Sequence, residues 1–449
     1  MSDKQPAQIP GPLTVSKINP RYFAAADKNG KERAVYLTGS HIWNNFHDGL
    51  GPGKEAPKKP EKNDYQAYLE FLKEHNHNFI RLWRWEQFKS HAGAADFHLN
   101  MSPQPWPRTG SGTAKDGKPK FDLSTFDESY FDRLRERVIA AGKQGIYVDV
   151  MLFEGWGLHL SPVPDNVEGH PFFADNNVNG VAIRSILDHQ VLPLDPSVQA
   201  LQEAYIKKVI DTVHDLPNVL YEVSNESSGG GSVDKEFAGY LGLSEIPDWG
   251  DSTQWQYWVI DFVKNYEAAQ GYEPRPIGMT MQFPVKEQLK VNEPLFNSAA
   301  EWISPGYDDE IFAHGGHPMD PNSPESHWYD NPPAAQGKKI IISDSDHYAP
   351  GKGDALWAWK SFLRGHHPIL MDFGIIDVAH PTDQPAGVPP YELYEPARWA
   401  MGDTLRFAER MDLLDMEPRD ELSQTGYALA NPGREYLVLQ PEATADSFT

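Results

Sequence analysis

Asn218-Val219-Leu220-Tyr221-Glu222-Val223-Ser224-Asn225-Glu226, followed by Ser227-Ser228-Gly229-Gly230-Gly231, is the stretch that decides how this chain is read. The run is apolar and β-prone up to an Asn-Glu pair, then opens into a glycine-rich loop. It reads as a buried strand that carries a carboxylate to its C-terminal end. In a (β/α)8 barrel that end is the face where chemistry is assembled, and a Glu with an amide beside it suits a general acid. The dipeptide alone discriminates little. Asn292-Glu293 recurs later, after polar residues and before Pro294, where no strand is predicted.

Outward from this stretch, apolar strand-like runs alternate with helix-period segments, the pattern of parallel βαβ units. A first strand is predicted over Ala34–His41, after a hairpin that starts at Arg21-Tyr22-Phe23 and turns at Lys28-Asn29-Gly30. Strands follow at 78–83, 146–153, 276–281, 301–304, 339–344 and 367–372, the 301–304 run being the weakest. Helices are predicted over 65–74, 127–143, 196–213, 253–269, 354–364 and about 395–410. Asp195 is placed to cap the third of these, with Pro196 at its first position. The expectation is an α/β fold, a (β/α)8 TIM barrel over residues 34–412. An N-terminal segment and hairpin (1–33) precede it, and a β-hairpin extension or truncated β-domain (413–449) follows. Helix-to-strand connections are short, whereas strand-to-helix connections around 85–124, 154–194, 305–337 and 373–394 are long. One face is therefore elaborated, and in this fold that is the active-site face.

Composition narrows the chemistry. The 449 residues include no cysteine, which removes disulfides, thiolate metal sites and Cys nucleophiles. A formal charge of −24 repels nucleic acid and anionic membrane and suits a neutral ligand. No apolar run is long enough to span a bilayer. Met1-Ser2-Asp3-Lys4-Gln5 contains no apolar leader core. The expected location is the cytoplasm, or the periplasm or exterior if a leader has been removed.

A second carboxylate is expected across the barrel from Glu226. Ser343-Asp344-Ser345-Asp346-His347 offers two, and two-residue spacing lets both face one side. Either Asp344 or Asp346 is the candidate nucleophile or base, with His347 orienting it; the bland alternative is an Asp- and Ser-rich turn. Arg81, inside an apolar strand, is costly to bury unpaired. It either holds a catalytic carboxylate ionised or forms a structural ion pair with Glu222. His41, Trp43, Asn44 and Asn45 follow strand one, Trp83, Trp85 and Glu86 follow strand two, and Glu154, which could replace either catalytic acid, and Trp156 follow strand three. Aromatic faces with His, Asn and carboxylates at strand ends make a sugar cleft, although any single Trp is more often core. Asp372 ends strand eight and joins the candidate substrate-binding set. His75-Asn76-His77 has metal-ligand spacing but precedes strand two, at the wrong end of the barrel, so no metal or other cofactor is expected.

At these residues the chain resembles the clan A (β/α)8 glycoside hydrolases, which include the family 5 cellulases. The resemblance covers about residues 19–411. It rests on Arg81 in strand two, Asn225-Glu226 ending strand four and an acid ending strand seven. The strings Asn19-Pro20-Arg21-Tyr22-Phe23, Leu37-Thr38-Gly39-Ser40-His41-Ile42-Trp43, His75-Asn76-His77-Asn78-Phe79-Ile80-Arg81-Leu82-Trp83 and Ser343-Asp344-Ser345-Asp346-His347 are similar to a group of bacterial cellulase-like proteins described with a collagen-binding C-terminal domain. The resemblance implies hydrolysis of a neutral oligo- or polysaccharide with Glu226 as acid/base, Asn225 on a sugar 2-hydroxyl and the strand-seven acid as nucleophile. Retention of anomeric configuration is the expected outcome. Clan A enzymes carry Glu at the nucleophile position, and here both candidates are Asp, one methylene shorter. Two further readings follow from that departure and from the metal question: a catalytically silent carbohydrate-binding barrel, and a metal-dependent barrel hydrolase.

Overall fold

The computed structural model of the chain carries eight parallel strands in one sheet: β1 (Gly39–His41), β2 (Phe79–Leu82), β3 (Tyr147–Glu154), β4 (Val219–Asn225), β5 (Ile277–Thr280), β6 (Trp302–Ser304), β7 (Ile340–Asp344) and β8 (His367–Met371). The structure describes residues 9–27, 29–43, 45–51, 64–88, 90–91, 98–159, 165–240, 245–314, 316, 322–349, 351–375 and 391–442. Lys28 of the predicted turn and Asn44 of the candidate cleft lie outside them. Strands pair with their sequence neighbours from β2 to β8, and β8 returns to β1. This is the (β/α)8 barrel.

The seam between β1 and β2 is closed by two asparagines. At the lower end the Asn78 side chain donates to Tyr36 O (2.7 Å) and accepts the Thr38 N–H (2.9 Å). At the upper end Asn45 donates to Arg81 O (2.6 Å) and accepts the Trp83 N–H (2.8 Å). Gly39 lets the two backbones approach, since a Cβ there would lie 2.1 Å from Phe79 O. Gly39→Ala is expected to cost about 1–3 kcal/mol, as overpacked sites do. A urea-denaturation midpoint unchanged from wild type would contradict this reading of the seam.

The main helices are α1 (Tyr65–Glu74), α2 (Glu128–Lys143), α3 (Pro196–Val213), α4 (Thr253–Gln270), α5 (Glu293–Asn297), α6 (His327–Asp330), α7 (Ala355–Leu363) and α8 (Glu395–Ala408). Aspartates start four of them: Asp64, Asp127, Asp195 and Asp354 each accept a first-turn backbone N–H. Asp127 and Asp354, predicted as the first helical residues, are caps. Asn292-Glu293, rejected as a strand, opens the short α5.

The predicted strand over 34–41 is two elements. Glu32–Val35 pairs antiparallel with Phe23–Ala26, and the barrel strand starts only at Gly39. Between them, Leu37 N–H donates to His367 Nδ1 (2.9 Å) and Thr38 Oγ1 to Pro368 O (2.6 Å). The apolar run is continuous in sequence because the link Tyr36–Thr38 is as buried as the barrel strand that follows it, so hydrophobicity does not mark the break. The hairpin also crosses the expected 33/34 boundary. Leu13, Phe23 and Ala25 of the N-terminal sheet pack with Phe79, Tyr147, Leu220, Trp302, Ile340, Ile342 and Ile369 at the N-terminal ends of the barrel strands. That sheet plugs one end, leaving the C-terminal mouth for a site. The C-terminal strands Glu417–Pro418, Ala428–Asn431 and Glu435–Val438 form a separate sheet, with Leu429 packed on Tyr22, Tyr36 and Phe362. Among the described residues no helix is long and apolar enough to cross a membrane.

Candidate active site

Arg81 sits fully buried in β2 and organises the barrel interior. Its Nε and Nη2 donate to the two carboxylate oxygens of Glu222 on β4 (2.8 and 2.6 Å). Nη1 donates to Asp344 Oδ2 on β7 (2.7 Å), and Nη2 also reaches Asn225 Oδ1 (2.9 Å). The structural ion pair with Glu222 weighed for Arg81 is present, and of the two candidate strand-seven acids it is Asp344 that Arg81 binds directly. Asp149, level with Arg81 on β3, is pushed well above the usual carboxylate range by burial and by Glu222. Asp149 carries the signal that marked Arg81, a charged residue in an apolar strand, and was missed beside it.

The two strand-seven aspartates part company. Asp344 ends β7 and is wholly buried; Arg81 holds one oxygen, and His41 Nε2 lies 2.8 Å from the same oxygen. Burial opposes its charge, but His41 and Arg81 prevail and keep its carboxyl well below the ordinary range. Its Oδ1 accepts the Asp346 N–H (3.0 Å), which starts a 3-10 turn over Ser345–His347. The strand alternation ends there, so two-residue spacing does not place both acids alike. Asp346 lies on the turn, partly exposed. Burial and then the Asp344 charge push its carboxyl up to about 7, against the pull of Arg81.

Glu226 follows β4 in the left-handed region, at φ 45°, and is 6% exposed. A non-glycine residue there stores about 1 kcal/mol or more, a cost that recurs where a side chain must be aimed. Burial first and Asp346 second raise its carboxyl well above the usual range. One oxygen each of Glu226 and Asp346 and a ring nitrogen of His347 all lie within 4.8 Å of one another. His347 is buried, its Nδ1 2.8 Å from Ser304 Oγ and its Nε2 3.5 Å from Asn225 Oδ1. Burial lowers its pKa to about 4, so it is neutral at physiological pH. Tyr307, beyond β6, lies within electrostatic reach of Glu226, which together with burial raises its hydroxyl pKa. Nothing in its local sequence marked it.

The remaining expected residues divide. His41 stacks near Trp83, with ring centroids 6.3 Å apart, and Arg81 lies over the Trp83 ring at 5.0 Å. Trp43 meets Phe373 edge-on at 5.2 Å, and its carbonyl accepts from Trp85 Nε1 (2.7 Å). Trp156 packs against the cluster of Leu158, Ile186 and Trp249. Asp372 gives both carboxylate oxygens to Arg398 of α8 (2.6 and 2.8 Å), which ties the last helix to β8. Glu154 ends β3 opposite Asn225 in register. His75 and His77 lie before β2, their Nε2 atoms 2.8 Å from Glu395 Oε2 and 2.9 Å from Arg398 O.

Two further clusters have metal-ligand composition. In Glu86, His170 and His189, each histidine Nδ1 is taken: Phe172 N–H donates to His170 (3.0 Å) and Gln202 Nε2 to His189 (2.6 Å). Trp255 Nε1 donates to Gln202 Oε1 (2.9 Å) and fixes that amide's orientation. Each Nε2 therefore carries its proton, that of His170 bonded to Glu86 Oε2 (3.3 Å) and that of His189 lying 3.0 Å from the same oxygen, leaving no lone pair for an ion. In Asp308, Asp309 and His327, the histidine nitrogens already face the two carboxylates at 3.3 and 2.8 Å.

No protein-family model matches the chain, and no curated protein matches it. Similar solved structures include a glycoside hydrolase at 14% identity, covering 94% of this chain and 82% of that one, with a TM-score of 0.49. A glycoside hydrolase family 5 structure from Bacteroides vulgatus is 12% identical, covering 94% and 79%, with a TM-score of 0.47. A β-1,4-D-mannanase from Cryptopygus antarcticus is 12% identical, covering 87% and 94%, with a TM-score of 0.44. These are likenesses of fold.

Proposed function

We propose that the protein is a retaining glycoside hydrolase acting on a neutral carbohydrate, with Glu226 as acid/base and Asp346 as nucleophile. The observation that carries this reading is the Glu226–Asp346 pair, with oxygens within 4.8 Å and both carboxyls raised first by burial, Glu226 then by the Asp346 charge and Asp346 by the Asp344 charge. Retaining enzymes hold their carboxyl groups about 5–5.5 Å apart and inverting ones about 6.5–9.5 Å. The short separation supports retention. Near neutral pH the pair shares one proton. Asp346 gives it up first, because it is the more exposed and its pKa lies at about 7, while Glu226 keeps it for the leaving oxygen. Asp346 attacks the anomeric carbon as Glu226 protonates the departing oxygen, and Glu226 then takes a proton from the water that releases the sugar. Arg81 is committed to Glu222, Asp344 and Asn225 and offers no free cation to an acidic sugar.

Because Asp346 must be ionised and Glu226 protonated, kcat/KM is expected to rise through about pH 7 and to fall at higher pH. A profile already flat between pH 4 and 6 would contradict the pairing. The main test is a panel of aryl glycosides and neutral oligosaccharides, with wild type, E226Q and D346N compared. Turnover lost in both variants supports the reading. Saturable binding without turnover, surviving E226Q, points to a silent binding barrel. The proximity of His347 to the two acids favours metal-dependent hydrolysis as the second reading. Activity lost on chelation and restored by a divalent ion is its signature; activity indifferent to chelators removes it.

A further inference from the structure

Glu154 is wholly buried at the end of β3, in register with Asn225 on β4. Its Oε2 accepts the Gly157 N–H (2.8 Å), whereas its Oε1 has no hydrogen-bond partner. Its own N–H donates to Glu86 Oε1 (2.9 Å). Glu86 is an anion: burial opposes its charge, but His189, Arg84 and His170 together hold it well below the usual range. Arg84, the nearby cation, stands 3.7 Å from Glu86, and no ion pair reaches Glu154 among the described residues. A second bare charge beside Glu86, unsolvated and with no cation paired to it, is strongly unfavourable. Burial accordingly raises the Glu154 carboxyl well above its usual value.

The neighbours of Glu154 fix its place. A Cβ on Gly157 would lie 2.7 Å from the Gln87 amide and 2.8 Å from Glu154 Oε2, so only glycine lets the carboxyl settle there. On its other side the Asn225 side chain stands opposite it in register, close enough to act on its carboxyl. Asn225 Oδ1 is already turned to Arg81, which leaves its amide nitrogen for the β3 side.

We propose that Glu154 is a proton-bearing positioning residue that fixes the amide of Asn225, and through it the sugar beside Glu226, and takes no part in bond cleavage. The claim rests on the glycosidase reading for its functional consequence, and it separates Glu154 from the acids that react. An amide is the neutral isostere of the protonated acid, so E154Q is expected to keep kcat/KM within about threefold of wild type. E154L, similar in size but without polar atoms, should lose roughly 10²-fold, as a misplaced contact does, with KM raised as well as kcat lowered. Infrared difference spectra of wild type minus E154Q at neutral pH supply a readout independent of turnover: the carbonyl stretch of a protonated carboxylic acid should be present. Its absence overturns the proposal whether or not the protein hydrolyses anything. E154Q as inactive as E226Q overturns it too, by making Glu154 a reacting acid, and E154L as active as wild type overturns the positioning role. If wild type turns over nothing on the panel, the glycosidase reading fails separately. Calorimetric sugar binding, kept by E154Q and lost by E154L, then carries the same comparison.

Discussion

Arg81→Met is expected to lower the unfolding free energy by about 3–5 kcal/mol, the usual cost of removing one side of a buried ion pair. Arg81 is 1% exposed, and its partners Glu222 and Asp344 are not exposed at all. Deleting the guanidinium leaves Glu222 without solvent or cation and Asp344 with only the His41 ring beside it, and methionine fills the space without the charge. The pH dependence gives the sign. Arg81 holds the pKa of Glu222 and of Asp344 below the ordinary value, so each contributes stability above its unfolded pKa and loses it as pH falls through the folded one. The deficit of R81M should therefore shrink in acid, where its stranded partners take up protons. R81M/E222Q should recover part of the loss at neutral pH, because one stranded charge is gone. Urea denaturation at pH 5 and pH 7.5 reads both effects. A deficit below about 1 kcal/mol at neutral pH would mean that the barrel interior adapts to the loss, contrary to the geometry.

The two aspartates of the strand-seven turn should behave as opposites. Asp346→Asn is expected to reduce kcat by at least ~10³-fold, since it removes the attacking group. It should also stabilise the fold by about 1–3 kcal/mol above neutral pH. The pKa of Asp346 is raised to about 7 in the folded state, so its favourable contribution is present at low pH and lost as pH rises through 7. Asn has no charge to lose. Asp344→Asn breaks the contacts to Arg81 and His41 and should destabilise the fold most above pH 4, with activity falling only as far as the site is disturbed. Steady-state kinetics and thermal melts of the two variants across pH 5–9 decide between them. Equal stability losses, or the larger activity loss in D344N, would reverse the assignment.

Much of this arrangement was legible in the sequence because long-range order in a barrel has local signs. The Asn218–Glu226 run, the asparate-capped helices and the one-sided long loops each follow from hydrogen bonding and burial within a few residues. Arg81 announced itself by being charged inside an apolar strand. The break at Tyr36–Thr38 was not legible, since these residues are buried like the barrel strand they lead into and continue its hydrophobic pattern. Choosing between Asp344 and Asp346 required knowing that β7 ends at Asp344 and that a 3-10 turn follows, which depends on Arg81 and His41 claiming the first aspartate from other strands. Asp372 was read as a cleft residue from its strand-end position; its engagement with Arg398 comes from a helix 26 residues later. Tyr307 and the neutral state of Glu154 likewise arise from neighbours distant in sequence.

The most direct test of the account is mass spectrometry of the protein inactivated by 2-deoxy-2-fluoro glycosides of the sugar that the panel identifies. A retaining enzyme with Asp346 as nucleophile should accumulate one glycosyl adduct, mapped after digestion to Asp346 and absent from D346N. An adduct on Asp344, Glu226 or Glu154, or turnover that releases the inverted anomer with no adduct at all, would contradict it.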